Sequence, residues 1–117
     1  EHLSVDYQNE ECKLTVKGYR DPQKPLYKWD KWEKIDKKVE FPEILKNLEK
    51  KYEWINCEFI NGNLIEAHMR PNPDFRHGNV VAIPNWGDIN QYRECELKKG
   101  YNYVDDPDYK RKGFWID

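Results

Sequence analysis

Residues 54–60 ("WINCEFI") and 64–70 ("LIEAHMR") each alternate apolar and polar side chains, and no other pattern in the chain restricts its fold as tightly. Successive side chains of a strand point to opposite faces, so residues two apart share a face. The odd positions Ile55, Cys57, Phe59, Ile65, Ala67 and Met69 are all apolar and define a core face. The even positions Asn56, Glu58, Ile60, Leu64, Glu66, His68 and Arg70 are mostly polar. The two halves agree only across a loop of odd length. A two-residue turn at Asn61-Gly62 would pair Glu58 with Ile65, so the pattern predicts a hairpin with a three-residue loop. On that register Glu58 and Glu66 are cross-strand neighbours.

The remaining elements follow from similar cues. Residues 3–7 and 12–16 alternate Leu3, Val5, Tyr7 and Cys12, Leu14, Val16 with polar residues, and the polar "QNEE" between them predicts a second hairpin. Gly18, Pro22 and Pro25 mark 18–25 as a loop, and 26–35 reads as extended. From Pro42 to Glu53, Ile44, Leu45, Leu48 and Tyr52 fall at helical spacing, while Lys46, Glu49, Lys50 and Lys51 face away. This stretch is the expected main helix, with its stripe in the core. "VVAIP" (80–84) reads as a short buried strand, and beyond Gly87 the chain turns polar and aromatic with weak periodicity. The order predicts an α+β fold, an antiparallel sheet with one main helix on a face.

A chain of 117 residues sets the expectation of a single domain. The hydrophobic share of 38% is low and the charged share of 36% high, and the aromatic share of 15%, with five Trp and eight Tyr, predicts a core resting on a few large rings. A net charge of −2 argues against a general nucleic-acid or membrane binder. Cys12, Cys57 and Cys95 lie far apart without a CxxC pairing, which favours reduced thiols and a cytoplasmic location over a disulfide framework or a zinc site. No apolar run reaches membrane-spanning length. The chain opens without a Met directly in strand-like alternation, and it is expected to be a piece of something longer.

Two carboxylates facing each other across a hairpin repel unless something compensates them. Solvent and nearby cations are one compensation, and a bound divalent ion is the other. Paired carboxylate oxygens suit magnesium beside a nucleotide phosphate, and Arg70 shares the face and suits an anion. The stretch "CEFINGNLIEAHMRP" places an acid in one strand, then a short turn, then an acid-x-x-x-Arg-Pro sequence. It resembles the C-terminal motif of the ATP-grasp superfamily, and the opening "EHLSVDYQNEECKLTV" is similar to that superfamily's strand pair. The expected helix ahead of 54–60 also has the corresponding place.

The resemblance covers residues 1–72 as an ATP-grasp-like core, with 73–117 as a C-terminal extension. It implies a ligase that uses ATP and magnesium to join a small carboxylate substrate to an amine or thiol through an acyl phosphate. Glu58 and Glu66 would hold the magnesium on the ATP phosphates, with His68 as third metal ligand in the position usually taken by Asn. Arg70 would serve catalysis and nucleotide binding at the phosphate or acyl phosphate. Imidazole suits zinc, manganese or iron better than magnesium, so His68 departs from the pattern. The phosphate-clamping lysines and Gly-rich loop of such enzymes precede the segment present here. The chain would therefore be a C-terminal subdomain, inactive without an N-terminal half, with no membrane or nucleic-acid partner.

Asn72 and Asp74, in the loop after the second strand, are weaker site candidates, and His2 and His77 read as ordinary. The alternative is a non-catalytic protein- or carbohydrate-binding or structural module. It would keep the hairpin as scaffold and present Tyr101, Tyr103, Tyr109 and Trp115 on its surface. A metal-dependent nuclease shares the acid pair but lacks a Lys soon after the second acid, and Lys110, Arg111 and Lys112 read as a solvated tail.

Overall fold

The computed structural model describes residues 1–25, 27–87, 100–108 and 110–117. Cys95 and Tyr109 lie outside these residues. The chain forms two compact units, one of residues 1–18 and 34–73 and one of residues 19–33 and 74–117. Its strands are β1 (His2–Gln8), β2 (Glu11–Tyr19), β3 (Lys31–Lys34), β4 (Trp54–Ile60), β5 (Asn63–His68), β6 (Val81–Asn85), β7 (Asn102–Val104) and β8 (Gly113–Ile116).

The first unit carries an antiparallel sheet in the order β5-β4-β1-β2. The hairpin predicted from residues 3–7 and 12–16 is present, turning through Asn9 and Glu10, both at positive φ. Leu3, Val5 and Tyr7 of β1 alternate onto one face and meet Ile55, Cys57 and Phe59 of β4, with Phe41 laid over them. Tyr7 packs its ring against Phe41 edge to face at 5.1 Å and donates its hydroxyl hydrogen to the Glu40 carbonyl at 3.2 Å. These large buried rings supply most of the apolar area of a small core.

The second unit pairs its strands antiparallel in the order β3-β6-β8-β7. Ala82 and Ile83 of β6 and Phe114, Trp115 and Ile116 of β8 are buried. A side chain at Gly113 would collide with the Val104 carbonyl and the Tyr103 hydroxyl, so the close approach of β7 to β8 requires glycine there. Trp115, expected on the surface, is only 5% exposed, whereas Tyr103 is exposed and Tyr101 half-buried. Arg111 is not part of a solvated tail. Its guanidinium donates to Asp74 Oδ2 at 2.8 Å, lies 3.6 Å from Asp106 Oδ2 and covers the Phe114 ring.

The expected α+β arrangement is not what the chain adopts. Among the described residues the fold is antiparallel sheet, and its longest helix is a five-residue 3-10 turn, Glu43–Asn47. Pro42 before this turn and Leu48 after it are both extended, and no side chain caps its start. An isolated helix of about twelve residues is marginal in water, so packing decides whether it forms. Val39, Phe41, Leu45 and Leu48 reach the core from an irregular run interrupted by the 3-10 turn, leaving Ile44 73% exposed and Tyr52 at the surface. The spacing of the apolar residues fits that run as well as it fits a helix. Among the described residues no helix is long and apolar enough to cross a membrane.

Candidate functional site

The hairpin of β4 and β5 positions the site, and its turn differs from the expected one. Asn61 (φ 50°) and Gly62 (φ 83°) form a two-residue turn, the conformation that an Asn-Gly pair favours between twisted strands. Ile60 then faces Asn63 and Phe59 faces Leu64, but Glu58 faces Glu66. Ile65 is the extra residue of a β-bulge, which shifts the parity of β5 by one. The turn chemistry is thus satisfied, and the expected core pattern of β5 is overturned in part, because the bulge moves Leu64 onto the core face and Ile65 off it. Leu64 and Ala67 pack on the core side, while Ile65 is 52% exposed and Met69 is exposed beyond the strand end. A cleft of about 510 Å³ opens on that side over Leu3, Phe41, Phe59 and Leu64, and none of its lining residues belongs to the acid pair.

On the opposite face the register brings β1 alongside. Ser4 pairs with Glu58 and Asp6 with Asn56, while Asn56 in turn pairs with His68. His2, Ser4, Asp6, Asn56, Glu58, Glu66 and His68 therefore form one polar face across three strands. Ser4, Asp6 and Asn56 are buried in it, and each is hydrogen-bonded. Asn56 Nδ2 donates to Ser4 Oγ and to Asp6 Oδ1, both at 2.8 Å. The backbone N–H of Asn72 donates to both oxygens of Asp6, at 2.9 and 3.0 Å. Burial pushes the Asp6 carboxyl above its ordinary range, against these hydrogen bonds.

Glu58, Glu66 and His68 offer one donor atom each within 4.8 Å of one another. His68 Nε2 lies 3.6 Å from Glu58 Oε2 and 3.4 Å from Glu66 Oε1. On the other side of Glu58, His2 Nε2 reaches Oε1 at 3.3 Å. The hydrogen bond from His2 holds the Glu58 carboxyl down at about 2, against burial, with help from Glu66 and His68. The Glu66 carboxyl is pushed up because it shares a hydrogen bond with the Glu58 carboxylate and is repelled by it. The two carboxyls are therefore pushed apart, Glu58 down and Glu66 up, the expected outcome for two acids at close range.

Of the residues singled out from sequence, Glu58, Glu66 and His68 converge. Arg70 does not join them by any hydrogen bond. It is exposed, donates to the Pro71 carbonyl at 3.2 Å, and acts on Asp6 and Glu66 only through its charge. Asn72 contributes its backbone N–H, Asp74 is engaged with Arg111 in the second unit, and His77 is exposed. His2 was not expected at the site. The signal for it was present in the sequence, since His2 alternates with Leu3, Val5 and Tyr7 and must face away from the core.

Compared with protein-family models, curated proteins and solved structures, the chain has no match in any of the three. The resemblance to the ATP-grasp superfamily thus has only the residues themselves behind it.

Proposed function

We propose that the polar face of the first unit binds a divalent metal ion through Glu58, Glu66 and His68. One observation carries this reading: two acids stand opposite each other on adjacent strands with an imidazole within 4.8 Å of both. Like charges so placed destabilise an empty hairpin, and a cation reverses the sign of that interaction. The donor set is two carboxylates and one imidazole, which suits zinc, manganese or iron better than magnesium. Three protein ligands leave coordination positions open, and a metal held so supplies Lewis-acid polarisation or an activated water. Glu66, half exposed, leaves the ion reachable from solvent.

The ligase reading, with magnesium and ATP as cofactors, keeps the opposed acids as its support. The helix that the resemblance expects before β4 is absent, and Arg70 makes no hydrogen bond to the acid pair, so the metal site alone is the better-supported function. The binding-module reading retains Tyr103 at the surface and loses Trp115 to the core.

Calorimetric titration of metal-free protein with zinc, manganese and magnesium tests the proposal. One ion per chain is expected, with zinc or manganese bound more tightly than magnesium, and Glu58→Gln abolishing the heat. If no ion binds, or if Glu58→Gln binds as well as wild type, the metal reading is wrong. A thermal shift of the full-length protein with magnesium and ATP, but not with either alone, would return the ligase reading to first place.

A further inference from the structure

We infer that His2, on β1, is a positioning residue of the metal site, holding one oxygen of Glu58 so that the other is presented to the ion. The inference rests on the metal reading above. Glu58 is the central member of the polar face, with β1 on one side and β5 on the other. Its two oxygens have different neighbours: Oε1 is 3.3 Å from His2 Nε2, and Oε2 is 3.6 Å from His68 Nε2.

A carboxylate has no hydrogen to give, so the contact with His2 requires Nε2 to be the donor. That hydrogen bond fixes the rotation of the carboxylate. It commits Oε1 to β1 and leaves Oε2 on the side of Glu66 and His68. The strand register makes this arrangement robust. His2 pairs with Ile60 and Ser4 with Glu58, so His2 sits diagonally from Glu58 on the same face, within reach of a long side chain. His2 is also the more enclosed imidazole, its side chain 15% exposed against 30% for His68. Glu66 is half exposed, whereas Glu58, gripped from β1, has its orientation set before an ion arrives. Outer residues that orient a metal-binding group commonly contribute about 10- to 100-fold in affinity.

Two variants separate this role from its rivals. In His2→Ala the donor is gone; in His2→Gln a side-chain N–H can occupy nearly the position of Nε2. Zinc and manganese affinities are measured by calorimetry for wild type and both variants, with circular dichroism and a thermal melt in chelator to verify that each is folded. Loss of about 10- to 100-fold in affinity for His2→Ala, with His2→Gln close to wild type, is the expected result. A folded His2→Ala protein with wild-type affinity would overturn the inference and leave the metal site standing. Equal loss in His2→Ala and His2→Gln would also overturn it, because His2 would then be a ligand in its own right. If wild type binds neither ion, the metal reading fails and the inference fails with it. Should His2→Ala not fold, His2→Gln decides alone, and a 10-fold loss in that folded variant overturns the positioning role.

Discussion

Glu58 and Glu66 face each other across β4 and β5, directly beside the bulge that carries Ile65 out to solvent. The bulge is what makes them partners. Without the extra residue, the Asn61-Gly62 turn would set Glu58 against Ile65 and place an apolar side chain in the polar face. The acid pair therefore depends on a local irregularity that bends and re-aims the strand, a use to which bulges are put beside functional sites.

Removing one acid should have opposite effects with and without metal. Glu66→Gln relieves a like-charge pair, so the metal-free protein should be unchanged or more stable by up to about 1 kcal/mol. The same variant should lose the stabilisation that zinc or manganese gives wild type, because only binding to the native state raises the melting temperature. Thermal melts of both proteins in chelator and in excess metal measure both effects. A full metal-induced shift in Glu66→Gln would remove that residue from the site.

The acids also set a pH dependence for the metal-free protein. Glu58 has a folded-state value of about 2 against an ordinary value of 4.5. A depressed carboxyl contributes stability that is fully present above its unfolded value and is lost as pH falls through the folded one. The window is thus pH 4.5 down to about 2, and the loss there is at most about 3 kcal/mol. Glu66, pushed up, works in the other direction: its contribution is present at low pH and lost as pH rises through its folded value. Urea melts in chelator should show wild type losing stability steeply over the acid window and Glu58→Gln losing much less. Parallel curves would show that Glu58 is not held ionised by its neighbours.

The strands were legible because a period of two survives in short segments. β1, β2, β4 and β6 all lie where alternation or an apolar run placed them. β5 was legible as a strand but not in its faces, since a bulge shifts parity without any change in residue type. Leu64 and Ala67, one even and one odd, both pack on the core, and a strict alternation rule misassigned Ile65 and Met69. The helix failed for another reason. Ile44, Leu45, Leu48 and Tyr52 satisfy a helical stripe, but a stripe describes spacing, and the core takes Leu45 and Leu48 together with Val39 and Phe41 while Ile44 and Tyr52 stay at the surface. Arg111 was misread because its partner Asp74 is 37 residues away, where no local pattern can announce it. The acid pair and His68 were visible in sequence, and His2 was visible but not connected to them, because the placing of β1 beside β4 is tertiary.

The bulge makes a contrast that strict alternation would not. Phe59 is buried among Leu3, Phe41 and Leu64, so Phe59→Ala should cost about 3–5 kcal/mol. Ile65, at 52% exposure, should tolerate Ile65→Thr within about 0.5 kcal/mol. Chemical denaturation of the two variants decides the matter. Similar large losses for both would place Ile65 in the core and undo the register on which the opposed acids depend.

The second unit offers a test that is independent of any metal. Arg111 Nη1 donates to Asp74 Oδ2 at 2.8 Å, with both side chains largely enclosed, and its guanidinium also lies over Phe114. Burial pushes the Asp74 carboxyl up and the Arg111 charge pulls it back down. Taking away the cation leaves a buried carboxylate without compensation, which costs about 3–5 kcal/mol for a fully enclosed pair. Arg111→Met, which keeps much of the apolar bulk over Phe114, isolates the charge from the packing. Its loss of stability should be large at pH 7 and should shrink as the pH is lowered, because a protonated Asp74 no longer needs the cation. Arg111→Met with Asp74→Asn should recover part of the loss, as expected when two residues act as a unit. A solvated tail predicts instead a change within about 0.5 kcal/mol at every pH, and that result would remove the pair from the structure's supports.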